Sequence, residues 1–512
     1  MAKLIILMAL AYFGISEASP NFGLSVSFAP TSAITTGLST FTSALTTLSG
    51  AISSLPSSST NANVTIISTN LSQFVKNLIV VANYVKGNVT VALSDTKTDT
   101  STLFSNIFSG IDALNTYLMV DGNNYITLIS GVLTSSPALN QVIDQVIQFQ
   151  NSLTSIITTF SNMEIAIFNA IAAAGTGSVT TTIANAQVPA TFGTSISADF
   201  TSIKGQLANM TTNIKGISTA VVASNTYITS ITSTIASATK SINSTELTFQ
   251  KSLTSLNTTA VTYYTKIMTT VISDLKTVSS KLSIYAKDTT LGAMVTSWSS
   301  AVGAAINSSM AQMIASGTDT INYGLSTLYT QTDTMVQNAS AFYASTVLSV
   351  ATSLASQVMS LGTTGPACSS KYSSAISSAL STAQSGLSAC VSAEQTKAAA
   401  VMDIIVRMGQ LALASDQYIT NMIISCGSYS NFAKDPNVYN QALACMETLI
   451  ASADSINALY STIVQPELDM AASLMALEVD MANTRLRTCL TLQNNIFMAQ
   501  INTVAALIAA CT

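Results

Sequence analysis

The chain contains no histidine, one tryptophan and very few charged residues. The absence of histidine from all 512 residues excludes Ser-His and Cys-His catalytic pairs and every histidine-ligated metal site. Charged residues make up 8% of the chain, whereas ordinary globular proteins have about 25%. A net charge of -5 provides no electrostatic footprint for nucleic acid. The surface must therefore consist largely of Ser, Thr, Asn and Gln.

Other signatures of catalysis are also missing. The sequence has neither a C-x-x-C pair nor a Gly-rich phosphate loop, so we expect no zinc ribbon, redox pair or nucleotide site. Two acid pairs, Glu467 with Asp469 and Glu478 with Asp480, are candidates for hydrolysis. Residues two apart on a helix point to different faces, and we interpret all four acids as solvated. The sequence therefore predicts a protein that is not an enzyme and that binds no cofactor or metal ion.

The N-terminus has the pattern of an export signal. Lys3 is followed by an apolar run over residues 4–15, and small residues precede a cleavage point after Ala18. The run is too short to cross a membrane, which needs about 20 residues. The apolar tail, residues 496–510, is interrupted by polar residues and lacks the spacer of a lipid-anchor signal. We expect a signal peptide over residues 1–18 and a secreted product without a transmembrane anchor.

Cysteines and glycan acceptors agree with export. An even number of cysteines in an exported chain indicates disulfides, and the six are Cys368, Cys390, Cys426, Cys445, Cys489 and Cys511. N-x-Ser/Thr acceptors for N-glycosylation begin at Asn63, Asn70, Asn88, Asn209, Asn243, Asn257, Asn307 and Asn338. Occupied acceptors would be exposed and would solubilise a surface that is poor in charge.

Apolar residues recur at alternating steps of four and three, which is the heptad pattern of packed helices. One stripe comprises Val142, Val146, Phe149, Leu153, Ile156, Phe160, Met163 and Ile167. A longer stripe starts at Ile203 and continues less regularly beyond Ile235, with Ser224 in its one gap. Thr and Ile are modest helix formers, so packing of these stripes must provide most of the stability. Local strands remain open at residues 64–67 and 179–183, which are rich in β-branched side chains.

Composition divides the mature chain into two regions. Residues 19–362 are rich in Ser and Thr and lack cysteine, whereas residues 363–512 hold every cysteine and are denser in charge. The Gly- and Pro-containing stretch 361–366 is the predicted boundary. We predict an all-α fold of long antiparallel amphipathic helices, a bundle or coiled-coil-like region followed by a disulfide-bonded helical domain.

The positions of the cysteines suggest a pairing if Pro466 turns a helical hairpin. Cys445 and Cys489 would then lie at the same height on two antiparallel helices. A second turn near residue 431 would bring Cys426 and Cys511 to one end of the bundle. The favoured pairs are therefore Cys445–Cys489, Cys426–Cys511 and, by elimination, Cys368–Cys390. Fifteen pairings are open in principle.

Two further groups lie in the same region. Arg485 and Arg487 are expected to pair with neighbouring acids or to cap a helix face. The cluster Met470, Met475 and Met481 is either ordinary core filling, which we favour, or the lining of an adaptable lipid or peptide pocket.

Residues 365–512 resemble the insect family named after the tsetse EP protein. The resemblance rests on residues 438–440 leading into Cys445, and on residues 485–488 leading into Cys489. It implies an extracellular helical domain with disulfides and without established catalysis. The acidic Glu-Pro repeat of the tsetse protein is missing here, so any role of that repeat does not carry over.

The leading hypothesis is a secreted, non-enzymatic structural or binding glycoprotein of an insect gut lumen, secretion or extracellular matrix. Its partner would be an extracellular protein, a glycan or a lipid, and its helices leave oligomerisation open. The alternative is an extracellular carrier of apolar ligands, which ranks lower because lipid-surface helices usually carry Lys and Arg along the polar face. A membrane-active helical toxin ranks lower still.

Overall fold

The computed structural model describes residues 22–96, 98–134 and 136–511, and these residues form helices without any β-strand. The predicted signal peptide lies outside the described residues. The α-helices are α1 (Pro30–Gly50), α2 (Ala62–Ala92), α3 (Thr100–Met119), α4 (Asp121–Ser130), α5 (Pro137–Ala174), α6 (Thr181–Gln187), α7 (Thr191–Leu282), α8 (Thr289–Trp298), α9 (Ala304–Leu361), α10 (Gly365–Ile424), α11 (Pro436–Ala451), α12 (Ala453–Leu459) and α13 (Gln465–Ala509). Between them lie the 3-10 helices Ser283–Tyr285, Gly362–Thr364 and Ser425–Ser428 and the π-helices Ser299–Gly303 and Tyr460–Val464. The predicted all-α fold is confirmed.

Local sequence signals set where several helices begin. The Asn61 side chain accepts hydrogen bonds from the backbone N–H groups of Asn63 and Val64 at the start of α2. Asp288 does the same at the start of α8. Pro137 occupies the first turn of α5, where its missing N–H costs nothing.

Threonine hydroxyl groups form hydrogen bonds with backbone carbonyl groups of their own helix. The Thr158 hydroxyl donates to the Thr154 carbonyl at 3.0 Å, and the Thr254 hydroxyl donates to the Gln250 carbonyl at 2.9 Å. The same bond to the residue four positions earlier recurs along most of the described helices. Because these bonds are local, they do not decide which helices pack together, and the apolar stripes must do so.

The predicted stripes form the core where they are most regular. All eight stripe residues of α5, from Val142 to Ile167, are buried. On α7 the stripe is buried from Ile203 to Ile231, and Ser224 in its gap donates a hydrogen bond to the Ala355 carbonyl at 3.0 Å. The gap is therefore a paired polar position within the core.

Two local expectations give way to helix. Residues 64–67 belong to α2, and residues 181–183 belong to α6. The Gly and Asn residues at 121–124 predict a helix break, and the boundary between α3 and α4 lies directly before them, at Val120, so that they form the first turn of α4. Burial of an amphipathic face outweighs the weak strand preference of β-branched side chains here.

The described chain falls into two compact units that are not consecutive in sequence. Unit 1 comprises the chain up to Ser233, Val347–Ser377 and the segment from Ile501 onward; unit 2 comprises Thr234–Thr346 and Ser378–Gln500. The predicted boundary at residues 361–366 coincides with the 3-10 turn between α9 and α10, where Gly362 has a φ of 60°. That stretch lies inside unit 1, so the regions 19–362 and 363–512 describe composition and not separate packing units.

Unit 1 is built around the hairpin of α2 and α3. Helix α2 packs against α1, α3 and α4, and α3 also packs against α5. Stacked aromatic rings, including Phe22 on Phe104 at 5.2 Å and Phe41 on Phe200 at 5.6 Å, lie in its core.

Unit 2 is a four-helix bundle. The part of α7 that belongs to unit 2 begins at Thr234. It contacts α9 through a hydrogen bond between Asn257 and Asn322, and it contacts α10 where Tyr263 lies against Gly409. Helix α13 contacts the same two helices, and the Tyr343 ring of α9 lies 4.7 Å from that of Phe497. Each of these four long helical segments is therefore a neighbour of two of the others.

Candidate functional site

All six cysteines form disulfides, as predicted, but the partners differ from the favoured pairs. The bonds are Cys368–Cys511 in unit 1, and Cys390–Cys489 and Cys426–Cys445 in unit 2. The first two each join α10 to the region of α13, and the third closes the loop between α10 and α11. The predicted pairs Cys445–Cys489, Cys426–Cys511 and Cys368–Cys390 are therefore wrong.

The error comes from the assumed turn at Pro466. Pro466 lies in the first turn of α13, directly after the π-helix Tyr460–Val464, so no hairpin forms there. Pro is tolerated in a first helical turn because it needs no N–H partner there. Cys445 and Cys489 consequently lie on helical segments that follow one another without a reversal of direction, so the two cysteines do not face each other. The real hairpin is the loop near residue 431, and α10 is the antiparallel partner of α13.

The register of α10 against α13 is regular around the Cys390–Cys489 bond. Gly386, four residues before Cys390, faces Gln493, four residues after Cys489. In the other direction, Glu394 bonds to Arg485 at 2.7 Å. Each step of four along one helix is matched by a step of four back along the other, as antiparallel packing requires.

Arg485 is the centre of an ion network that the sequence revealed only in part. It also bonds to Glu478 at 2.5 Å, so the predicted pairing with a neighbouring acid is confirmed. Glu478 is buried, and its interpretation as a solvated surface residue is wrong. Glu394 is equally buried, and sequence reasoning missed it because it comes from another helix. Arg487 is exposed and donates to Asn483 at 3.1 Å.

A second buried acid lies beside the π-helix Tyr460–Val464. Asp416 of α10 is fully buried and accepts a hydrogen bond from the Tyr460 hydroxyl. Burial, together with repulsion from Asp274 of α7, raises the pKa of Asp416, and Tyr460 opposes that rise. The second carboxyl oxygen of Asp416 has no hydrogen-bond partner in the described structure. The carboxyl is therefore more stable protonated than ordinary aspartic acids are.

Glu246 forms a third buried acidic position. The Gln337 amide donates to one of its carboxyl oxygens at 2.6 Å, and the other oxygen is unpaired. Burial, and secondarily repulsion from Asp333, raises the pKa of Glu246 to about 7. All buried carboxylates in the described chain, at Glu246, Glu394, Asp416 and Glu478, belong to unit 2.

The position of an acid within an apolar heptad stripe could have identified these buried acids from the sequence. Glu246 lies four residues after Ile242 and three before Phe249, which are both buried on α7. Asp416 likewise lies four residues after Ala412 and three before Ile419, which are both buried. An acid at a heptad stripe position therefore marks a buried carboxyl, and Glu394, three residues after Val391 and four before Ala398, fits the same pattern.

The eight glycan acceptors divide into two groups. The side chains of Asn209, Asn243, Asn307 and Asn338 are exposed on helices, whereas those of Asn63, Asn70, Asn88 and Asn257 are half-buried. The most confined is Asn88, whose amide nitrogen donates to the Asn106 carbonyl at 2.6 Å. The same nitrogen would lie 3.0 Å from a Cβ built on Gly110. A glycan on Asn88 has no room between α2 and α3.

The described surface has clefts of two kinds. A cleft of about 490 Å³ in unit 1 is lined by hydroxyl groups of the loop after α1 and of α2, with Lys76 at its edge. A cleft of about 290 Å³ in unit 2 lies beside the π-helix Ser299–Gly303 and is lined mainly by apolar groups, among them Ile272, Leu275 and Trp298. The first cleft suits a polar ligand and the second a small apolar one.

The methionine cluster does not form a common site. Met475 is buried, as core filling predicts, but Met470 and Met481 are exposed. Helical spacing of apolar residues predicts further stripes in this region, at Val401, Ile405, Met408 and Leu411 and at Leu474, Leu477, Met481, Leu486 and Leu490. Leu411, Leu477 and Met481 lie instead on the outer surface of unit 2.

Three helical segments, α2, α5 and the stretch from Thr289 to Ser428, are long and apolar enough to cross a membrane by length and composition alone. Between 28% and 39% of the residues in their most apolar windows are buried inside the protein, so part of each apolar count belongs to the stripes packed in the core. The expected absence of a transmembrane anchor stays a prediction.

Among the described residues, no group of three or more Cys, Asp or Glu side chains is arranged to hold a metal ion. A comparison with models of known protein families gave no match. No curated protein matched the chain significantly.

Proposed function

We propose that this protein is a secreted, non-enzymatic glycoprotein with a structural or binding role outside the cell. The observation that carries the proposal is the set of three disulfides, which leaves no free cysteine in the described chain. Disulfides form and persist in oxidising compartments and are rare in the cytosol. The bonds are therefore consistent with an extracellular protein.

The chemistry of the surface supports the same proposal. With few charges, the exposed faces carry mostly Ser and Thr hydroxyl groups that are already bonded to their own helices. Such a surface offers few strong groups for catalysis or electrostatic recognition. Glycans on the exposed acceptors would supply the hydration that charges supply in other proteins.

The resemblance of residues 365–512 to the tsetse EP family adds an expected setting. It suggests an insect gut lumen, secretion or extracellular matrix, with an extracellular protein, glycan or lipid as partner. The disulfides of α10, α11 and α13 agree with the helical, cysteine-bonded domain that the resemblance implies.

The test is expression of the full chain in insect cells, followed by glycopeptide mass spectrometry of the secreted protein. We expect glycans on the exposed acceptors, Asn209 among them, and none on Asn88, because its amide nitrogen is enclosed by α3. The matched variants are Asn209→Gln, which should increase gel mobility, and Asn88→Gln, which should not. Retention of the chain inside the cell, without glycan and with reduced cysteines, would overturn the proposal.

One observation favours the alternative, a carrier of apolar ligands. The cleft beside the π-helix in unit 2 combines an apolar wall with Lys276 among its lining residues, and the buried indole nitrogen of Trp298 has no acceptor. Its volume lies near the lower limit for ligand sites, so only a small apolar molecule would fit. Organic extraction and mass spectrometry of the secreted protein separate the two functions. A stoichiometric apolar molecule would establish the carrier, and its absence together with glycan would favour the structural or binding role.

A further inference from the structure

Helix α10 carries an apolar stripe that faces away from the core. Ile404, Leu411 and Tyr418 follow one another at intervals of seven residues, and Met422 follows four residues later. Their exposed fractions run from 45% for Ile404 to 73% for Tyr418. Intervals of seven, completed by a step of four, are the spacing with which one helix packs along another. The stripe therefore has the pattern of a helix interface but has no partner helix within the described chain.

A second stripe lies on α13. Met470, Leu477 and Met481 are separated by steps of seven and four, and their exposed fractions are 53%, 55% and 49%. Leu474, between them, is half-buried. This spacing again places the side chains on one side of the helix.

Both stripes lie beside the line along which α10 and α13 pack against each other, which we call the seam. Ile404 lies fourteen residues after Cys390, so it shares the side of α10 that the Cys390–Cys489 bond turns towards α13. On α13, Met481 lies four residues before Arg485, which bonds to Glu394 of α10. Because the stripes border one seam and are both exposed, they form a single apolar surface on its solvent side. We call the seven residues of the two stripes the seam face.

The exposed surface area of the seam face is close to the area that one partner buries in a protein–protein interface. A fully exposed large side chain presents roughly 200 Å², so seven that are about half exposed present on the order of 750 Å² of surface. Apolar patches on monomeric proteins rarely exceed about 600 Å². One partner in a standard protein–protein interface buries about 800 Å².

The charges beside the α10 stripe favour another protein helix over a lipid surface. Beside the α10 stripe, Asp403 and Arg407 form an exposed ion pair at 2.9 Å and so neutralise each other. Helices that lie on membranes instead carry Lys and Arg whose charge is free to meet lipid headgroups. A neutral stripe of this kind meets no repulsion from a copy of itself.

The α10 stripe is also self-complementary. Ile404 and Tyr418 lie seven residues to either side of Leu411, so an antiparallel copy places Leu411 on Leu411, Ile404 opposite Tyr418 and Met422 opposite Ala400. A two-fold axis requires such a match of one patch with itself. We propose that the α10 stripe binds the α10 stripe of a second copy of this chain, with Leu411 next to the two-fold axis, and that the α13 stripe of each copy extends the contact.

The first test compares two double variants of the full chain by sedimentation velocity over a range of concentrations. Leu411→Glu with Tyr418→Glu places carboxylates in the proposed interface, and we expect the dissociation constant of the dimer to rise at least about 100-fold. Leu128→Glu with Tyr323→Glu is the matched control, because those side chains are 55% and 74% exposed outside the seam face. The control and the wild type should both sediment as dimers.

A second test does not depend on disrupting the surface. Leu411→Cys should form a disulfide between two copies under mild oxidation, and Leu128→Cys should not. A wild-type chain that stays monomeric at every concentration overturns the proposal, as does a stripe variant that remains dimeric. If the wild-type monomer binds phosphatidylcholine vesicles and the Leu411→Glu, Tyr418→Glu variant does not, the seam face binds lipid, and the proposal of a second copy as partner is wrong.

Discussion

Replacing Glu246 by glutamine tests whether the buried acids make unit 2 sensitive to pH. Glu246 is 6% exposed, and burial raises the pKa of its carboxyl to about 7. The unfolded chain has the ordinary glutamate pKa, about 4.3. Because the folded state holds the proton more tightly, the contribution to the free energy of unfolding is fully present below about pH 4.3 and is lost as the pH rises through about 7.

The size of the effect follows from the pKa difference. Each pKa unit corresponds to about 1.4 kcal/mol, so the full difference between the folded and unfolded pKa values amounts to about 4 kcal/mol. Solvent close to the carboxyl reduces this figure, and we expect a loss of about 1–2 kcal/mol between acid and weakly alkaline solution. Glu246→Gln keeps the shape and an oxygen that can still accept from Gln337. It should therefore remove the part of the pH dependence that Glu246 causes, leave the part caused by Asp416, and raise stability at high pH by the same amount.

The assay is urea unfolding of the wild type and of the Glu246→Gln variant at about pH 4, 6 and 8, values that bracket the two pKa values. Hydrogen exchange of peptides from Thr234–Thr346 assigns the change to unit 2. Glu447→Gln, at an exposed position of α11, is the matched control and should keep the wild-type pH profile. A Glu246→Gln variant whose stability falls with pH as steeply as that of the wild type would refute the reasoning.

Two further predictions concern packing and cross-links. A Cβ at Gly193 would lie 2.4 Å from a backbone oxygen of α1, so Gly193→Ala should lose about 1–3 kcal/mol in denaturant unfolding. Gly205 of the same helix has nothing within 4 Å, and Gly205→Ala should gain about 0.5–1 kcal/mol; equal effects would contradict this packing. The bond Cys390–Cys489 spans 99 residues, and replacing both cysteines by serine should cost about 4–5 kcal/mol, against about 3 kcal/mol for the 19-residue bridge. The reverse order in thermal or urea unfolding would count against the entropic account.

Sequence periodicity predicted the helices well where apolar steps were uninterrupted. The α5 stripe from Val142 to Ile167 is buried throughout, because a long one-sided apolar pattern has only one favourable way to be buried. The same reasoning failed at Leu411 and Leu477, which share the apolar pattern of core residues but are exposed. A helix with apolar residues on two sides can bury either, and periodicity alone does not say which side meets the neighbours.

The disulfide partners required the tertiary structure. The number of cysteines was enough to predict that all six are bonded, but their pairing depends on which helices are neighbours. That choice depended on Pro466, which can start a helix as readily as it can end one. Once α13 begins there, Cys489 lies opposite Cys390, and Cys445 is left to close the nearby loop with Cys426.

By itself, the sequence determined the helical class, the presence of disulfides and the low-charge, hydroxyl-rich surface, because these depend on composition and short-range periodicity. Only the tertiary structure decided the two units, which alternate along the chain, the partners of the buried acids in unit 2 and the exposed seam face. Those features arise where residues far apart in the chain meet, as Glu394 meets Arg485. No pattern within a single helix specifies the partner that an adjacent helix presents.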